Sequence, residues 1–353
     1  MKSVEADSSE GTIKLFQDAN SEDQKKGKDW RLWIKGLSGV AACVLCGLFH
    51  GPVPALSRYV QDRGYTPLQI IVLVEVLIFL GALCIALYQR TDMLPKNWKD
   101  GAHLLFQGLT RFTSMLCLFT AHQFIPPANS EVVWNASKPV FVATLSCIIF
   151  QETPTRVTVF GSTWCVAGVV LLGYGSFVNT GPSADTADVT LGMVLTVTGA
   201  LIHAMMNVGA KVLLKSTSRA KVVTYTYVIS AVSAGVGAGV TRSTWYINPE
   251  TATILALILG CYIMVVLFFY IGLKLVEVNQ LTALYQFSAF SAYGVQQAML
   301  GFAPTILEYL GLTCVLIGTF SIMILEVLAR WKEEKHGALV EQLHFNVTPL
   351  NDS

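Results

Sequence analysis

Four side chains that could bind a solute occur in one apolar stretch, "PPANSEVVWNASKPVF", residues 126–141. Glu131, Trp134, Asn135 and Lys138 follow one another at i, i+3, i+4 and i+7, so a helix would place them on one face. Together they offer a carboxylate, an indole, an amide and an ammonium group. Such a face cannot contact lipid, because an ionised side chain at the bilayer centre costs at least about 2.5–3.5 kcal/mol.

The depth of these residues separates two interpretations, solute contact and internal neutralisation of other side chains. Pro126 and Pro127 suit the first turn of a helix, and Lys138 then lies about 16 Å further along the axis, near the middle of the bilayer. Pro139 removes an amide from the helix and frees a carbonyl on the same face. Depth favours solute contact for Lys138. Glu131 stays open between the two interpretations, because an acid in a first turn also suits the helix dipole.

Two other apolar segments carry polar side chains. Arg111, with Lys138, would suit an anionic solute, because guanidinium groups bind carboxylate or phosphate through two parallel hydrogen bonds. The alternative is an internal ion pair of Arg111 with Glu75 or Glu131. His203 and Asn207 lie four residues apart, and His203 could either couple transport to protons or be a hydrogen-bonded residue of the helix bundle.

The second half of the chain offers neutral polar groups on one helical face, which we predict to line the same cavity. These residues are Asn279, Thr282, Gln286, Tyr293 and Gln297. We name Gln286 and Tyr293 as candidate substrate-binding residues. No catalytic residue, metal ligand or cofactor is predicted; Cys43, Cys46 and His50 resemble part of a zinc site but lack further ligands nearby.

The elements that position these residues are membrane spans. The 353 residues are 53% hydrophobic and 13% charged, which is typical of a polytopic membrane protein and not of a soluble domain. The net charge of +1 argues against a nucleic-acid partner. Runs of about 20 apolar residues predict ten transmembrane helices in an all-α protein. They lie near 34–58, 67–88, 102–122, 127–150, 156–177, 189–212, 220–240, 251–273, 277–301 and 305–329.

The distribution of basic residues orients these spans. With a cytosolic N-terminus, only Arg58, Arg63 and Arg242 fall on the opposite side, a strong positive-inside bias. Both termini are therefore predicted to be cytosolic, with residues 1–30 a disordered tail and 331–353 a second tail. Plasma membrane and endomembrane are not distinguished, nor is the oligomeric state.

The chain also predicts an internal duplication. A shift of 150 residues aligns 121–170 with 271–320 without a gap, matching for example Gly161 to Gly311 and Gly168 to Gly318. Five spans per repeat is an odd number, so the repeats, 31–177 and 189–330, would be inverted relative to each other. Inverted repeats are typical of transporters that hold the substrate near the bilayer midplane.

These features resemble a known family. The stretches "LTRFTSMLCLFTAHQFIPPANSEVVWNASKPVFVATLSCIIFQETPT" and "VFGSTWCVAGVVLLGYG" are similar to the EamA-type unit of the drug/metabolite transporter superfamily, with G-type members of solute carrier family 35 as the nearest eukaryotic relatives. In that unit the fourth helix carries a proline and an acidic residue at its exit, positions taken here by Pro139 and Glu152. Two departures are Glu75, where relatives often have arginine, and Lys138, where many have serine.

The sequence thus predicts a secondary transporter that moves a small, anionic organic solute by alternating access. The alternatives are a Golgi or endoplasmic reticulum antiporter of nucleotide sugars and, in another class, a membrane interaction partner without transport activity. An enzyme is not predicted, because the chain contains neither an HExxH metal motif nor a GxSxG nucleophile motif.

Overall fold

The computed structural model describes residues 37–151, 155–179, 186–214, 216–245, 248–275, 284–321 and 324. Both predicted tails, residues 1–30 and 331–353, lie outside the described residues, as do Glu152, Asn279 and Thr282. All regular structure in the described part of the chain is helical. The protein is an all-α, multi-pass membrane protein.

Within the described ranges, ten helices follow one another along the chain. They are α1 Leu37–Gln61, α2 Pro67–Tyr88, α3 Trp98–Ala121, α4 Pro127–Phe150, α5 Arg156–Asn179, α6 Thr186–Leu213, α7 Arg219–Val240, α8 Pro249–Leu275, α9 Ser288–Leu300 and α10 Ile306–Ser321.

Eight of these helices, α1 to α8, are long and apolar enough to cross a bilayer. The described parts of α9 and α10 are shorter, and α9 is preceded by a single 3₁₀ turn, Tyr285–Phe287. The predicted ninth and tenth spans include residues outside the described ranges, so the count of ten complete spans stays a prediction.

Local sequence explains where the helices begin. Thr66 caps α2 by accepting a hydrogen bond from the Gln69 amide, while the Gln69 side chain accepts one from the Thr66 amide, and Pro67 takes the first helical position. Pro127 likewise takes the first helical position of α4, which has no side-chain cap. Within α1 the helix is interrupted at Gly51, directly before Pro52, because proline lacks the amide that would continue the hydrogen-bond ladder.

The helices pack mainly in pairs that join the first half of the chain to the second. Helix α3 packs on α6, α2 on α7, and α4 on both α6 and α9, while α1 contacts α8 and α9. The core between them includes Val74, Met115, Phe119 and Trp134. The helices named here from the first half of the chain all contact helices of the second half. A movement of one half relative to the other would therefore change these contacts.

Glycines allow a close contact between α5 and α10. A Cβ atom on Gly168 would lie 2.7 Å from the Gly311 carbonyl oxygen, and one on Gly318 would lie 2.5 Å from the Gly161 carbonyl oxygen. The sulfur of Cys165 lies between these contacts, 4.0 Å from the Val315 oxygen. The predicted shift of 150 residues exchanges the two glycine contacts, which is the reciprocity expected of a duplicated chain.

We expect Gly168→Ala to destabilise the protein by about 1–3 kcal/mol, because the new methyl group overlaps the α10 backbone, which cannot move aside as a side chain could. Thermal unfolding in detergent micelles would measure the loss. Gly260→Ala on α8 is the matched control, because its Cβ would enter open space and alanine favours the helix. Equal stability of the two variants would contradict the close α5–α10 contact.

Candidate functional site

Helix α4 carries the candidate site and changes its environment halfway along. All residues from Pro127 to Ser137 are buried, whereas the side chains from Lys138 to Phe150 are half-buried or exposed. Pro139 lies inside the helix, so the ladder loses one hydrogen bond at this boundary. Lys138 therefore lies at the boundary between the buried first half of α4 and its less buried second half.

Glu131 forms a compact polar cluster with two neighbours. Its Oε1 atom is 3.1 Å from His50 Nδ1 on α1 and accepts a 2.6 Å hydrogen bond from Asn135 Nδ2, one turn further along α4. The carboxylate is 1% exposed and His50 is 9% exposed. The other carboxylate oxygen, Oε2, has no hydrogen-bond partner within the described part of the chain. The structure thus provides Glu131 with an internal partner, His50, as the second of the two interpretations requires.

Lys138 lies in a different environment, against aromatic rings. Its Nζ atom is 3.6 Å from the centre of the Trp134 ring, and the His203 ring meets the same indole edge to face at 4.8 Å. A cation over an indole face is stabilised by the ring quadrupole, by about 0.5–2 kcal/mol, but its charge is not neutralised. Among the described residues no carboxylate lies within ion-pair distance of this ammonium group.

Arg111 pairs with Glu75, which was the alternative to a direct role in binding an anion. Arg111 Nε lies 3.0 Å from Glu75 Oε1, and both side chains are almost fully buried between α2 and α3. The guanidinium also lies 5.1 Å from the centre of the Tyr227 ring on α7. Each charge in this pair thus has an opposite charge beside it.

The remaining predicted residues are dispersed. The hydroxyl of Tyr293 donates a 2.7 Å hydrogen bond to Asn129 Oδ1, and Asn129 Nδ2 in turn donates to Ser176 and to Glu308. This network joins α4, α5, α9 and α10 at the start of α4. Gln286 is buried in the 3₁₀ turn before α9, whereas Asn207 is exposed on α6. The structure does not bring Tyr293 or Asn207 into contact with Lys138.

His50, Tyr262 and Tyr285 are the residues near the site that sequence reasoning missed as binding residues. His50 meets Tyr285 at 5.1 Å between ring centres and Tyr262 at 6.0 Å. One feature of the sequence could have indicated His50. A buried carboxylate such as that of Glu131 needs a cationic or hydrogen-bond-donating partner, and His50 lies beside a helix break at a similar depth. Distance along the chain, 81 residues between His50 and Glu131, concealed it.

The charged groups at this site differ in whether they have a partner. Arg111 and Glu75 neutralise each other and His50 lies beside Glu131, whereas no carboxylate among the described residues pairs with Lys138, so an incoming anion can pair with it. The indole ring of Trp134 lies beside it, 4% exposed, in contact with the Lys138 ammonium and the His203 ring. The arrangement can therefore pair with one anionic group of a small molecule.

Comparisons with known proteins agree with this architecture. A solved crystal structure is similar over 82% of this chain and 98% of its own length, with a TM-score of 0.57 and 19% sequence identity, which supports the fold alone. Residues 37–174, which include α1 to α4 and most of α5, match the EamA-like transporter family. Members of this family are membrane transporters of small solutes. Residues 37–174 are therefore similar to the EamA-like transporter family, and the candidate site on α4 lies within the matched residues.

Proposed function

We propose that this protein moves a small organic anion across the membrane by alternating access, with Lys138 as the residue that contacts the anionic group. The observation that carries the proposal is the ammonium of Lys138, half-buried on α4 without an anionic partner among the described residues. A cation at this depth is costly unless it is paired or hydrated, and a cargo anion supplies the pair.

The same charges favour a small anion over a nucleotide sugar. A diphosphate carries two negative charges and is usually bound by several cationic groups, of which arginine is the most specific. Arg111 is already paired with Glu75 at 3.0 Å and would have to leave a buried carboxylate to serve as the second cation. Lys138 alone therefore suits a singly charged group.

The helix contacts support alternating access. The reciprocal glycine contacts between α5 and α10 join equivalent helices of the two halves, as expected of a transporter whose halves move against each other.

A ligand panel on the purified wild-type protein tests the class of cargo. We expect monocarboxylates such as pyruvate, gluconate and hippurate to raise the unfolding temperature, because a ligand at 100 times its Kd stabilises the native state by about 2.7 kcal/mol. Nucleotide sugars and neutral sugars serve as the comparison. Stabilisation by nucleotide sugars alone would favour a nucleotide-sugar antiporter, and no stabilisation by any solute would favour a protein without transport activity; either result contradicts the proposal.

A further inference from the structure

The pair of His50 and Glu131 is a buried titratable group that anion binding at Lys138 does not itself use. The imidazole and the carboxylate approach to 3.1 Å on two different helices, α1 and α4. Asn135 fixes the carboxylate by donating to Oε1, whereas Oε2 has no hydrogen-bond partner in the described ranges. An unpartnered oxygen on a buried carboxylate is rare, because its desolvation costs about 1–3 kcal/mol or more.

The groups around this pair contribute little further charge. Two phenols face it, Tyr262 from α8 and Tyr285 from the turn before α9. His122 from the α3–α4 connection and Lys138 from α4 are close enough to act electrostatically on Glu131. Of these groups, Lys138 is the basic side chain whose charge can balance that of Glu131.

A count of charges links the pair to the cargo. Without cargo and without a proton on His50, the positive charge of Lys138 and the negative charge of Glu131 cancel. With a singly charged anion at Lys138 and a proton on His50, the four charges cancel again. The two mixed states, anion without proton and proton without anion, each carry one net charge. A conformational change that carries a net charge within the low-dielectric membrane is costly. The two neutral states therefore change conformation most readily.

We propose that the His50–Glu131 pair carries one proton across the membrane with each singly charged organic anion, so that the protein is an electroneutral proton–anion symporter. The inference rests on the proposed function. The proton binds the imidazole on one side, with Glu131 as its counter-ion, and leaves on the other side when the anion leaves Lys138; no bond of the cargo changes. His203 does not suit this role, because it packs on Trp134 beside Lys138 and no carboxylate among the described residues pairs with it.

Glu131→Gln should separate anion exchange from proton coupling. The amide keeps an oxygen to accept from Asn135, and its size is that of the carboxylate, so the fold is expected to persist. Without the carboxylate, the loaded carrier is neutral with anion alone, while the empty carrier bears the charge of Lys138. Exchange of one anion for another therefore continues, but net uptake driven by protons stops.

The experiment uses the full chain in liposomes, with radiolabelled pyruvate, gluconate and hippurate as probes. For the wild type, an outside pH one unit below the inside pH is expected to accumulate the anion about tenfold, because one unit of proton gradient equals about 1.4 kcal/mol. For Glu131→Gln we expect exchange of labelled for unlabelled anion to be detectable but no accumulation under the same pH gradient. Glu250→Gln, which removes an exposed carboxylate on α8, is the matched control and should accumulate as the wild type does.

The outcomes distinguish this inference from the proposed function. Wild-type exchange that a pH gradient does not drive, or equal accumulation by wild type and Glu131→Gln, overturns the coupling role and leaves anion transport standing. Accumulation that varies with a membrane potential set by potassium and valinomycin overturns the electroneutral ratio of one proton to one anion. If none of the three anions exchanges in the wild type, the proposed function fails and the coupling role fails with it.

Discussion

Glu75→Leu is expected to destabilise the protein by about 3–5 kcal/mol, the range measured when one partner of a buried ion pair is removed. The carboxylate is 1% exposed and lies 3.0 Å from Arg111, so its loss leaves a buried guanidinium without an opposite charge. Unfolding in detergent, followed by near-ultraviolet circular dichroism, would measure the change. Arg111→Met should destabilise the protein by a similar amount, because it leaves the buried Glu75 carboxylate without an opposite charge.

The double variant Glu75→Leu with Arg111→Met should recover most of that stability, because two well-packed apolar side chains replace a pair whose desolvation offset its attraction. The exposed pair of Arg63 and Glu250 provides the matched control. Glu250→Gln should cost about 0.2–1 kcal/mol, since water solvates the remaining guanidinium. A double variant as unstable as the single ones would show that Glu75 and Arg111 have separate roles, one of which could be contact with cargo.

Lys138→Met is expected to weaken binding of a carboxylate by about 2–5 kcal/mol, which is roughly a 30-fold to several-thousand-fold increase in Kd. The substitution keeps the length and apolar stem of the side chain against Trp134 but removes the charge that pairs with the cargo. Isothermal titration of the purified protein with the best ligand of the panel would measure both constants.

Lys211→Met is the control for this result, because Lys211 lies on exposed α6 surface over the Phe150 ring and outside the cluster around Trp134. It should bind the anion as the wild type does. An unchanged Kd in Lys138→Met would make the cation structural and move the anion site elsewhere.

The sequence predicted that Glu131, Trp134, Asn135 and Lys138 share one face of a helix, because helix geometry fixes which residues are neighbours. The spacing of four residues between Glu131 and Asn135 gave the observed hydrogen bond, and the same spacing between Trp134 and Lys138 gave the stacked cation. Length and apolar composition likewise predicted the spans, since a bilayer sets both. The match to the EamA-like transporter family over residues 37–174 confirmed the resemblance to EamA-type transporters.

Contacts between helices could not be predicted in the same way. Arg111 had two acidic candidates at similar depth, and only the packing of α2 on α3 selects Glu75. The partner of Glu131, His50, comes from α1 and depends on how that helix turns at Gly51. Tyr293 shares a helical face with other polar residues, yet its hydroxyl donates a hydrogen bond to Asn129, because α9 packs on α4. Relative helix rotation is a property of the whole bundle and has no local sequence signal.

Exchange transport tests most directly whether Lys138 belongs to one site that opens to each side in turn. Liposomes that contain the protein would be preloaded with unlabelled anion, and the initial uptake of labelled anion would be compared with that of empty liposomes. We expect preloading to accelerate uptake in the wild type and in Lys211→Met, because a loaded carrier returns readily, and to have no effect in Lys138→Met. Acceleration that persists in Lys138→Met, or uptake in the wild type that is indifferent to preloading, would contradict an alternating anion site at Lys138.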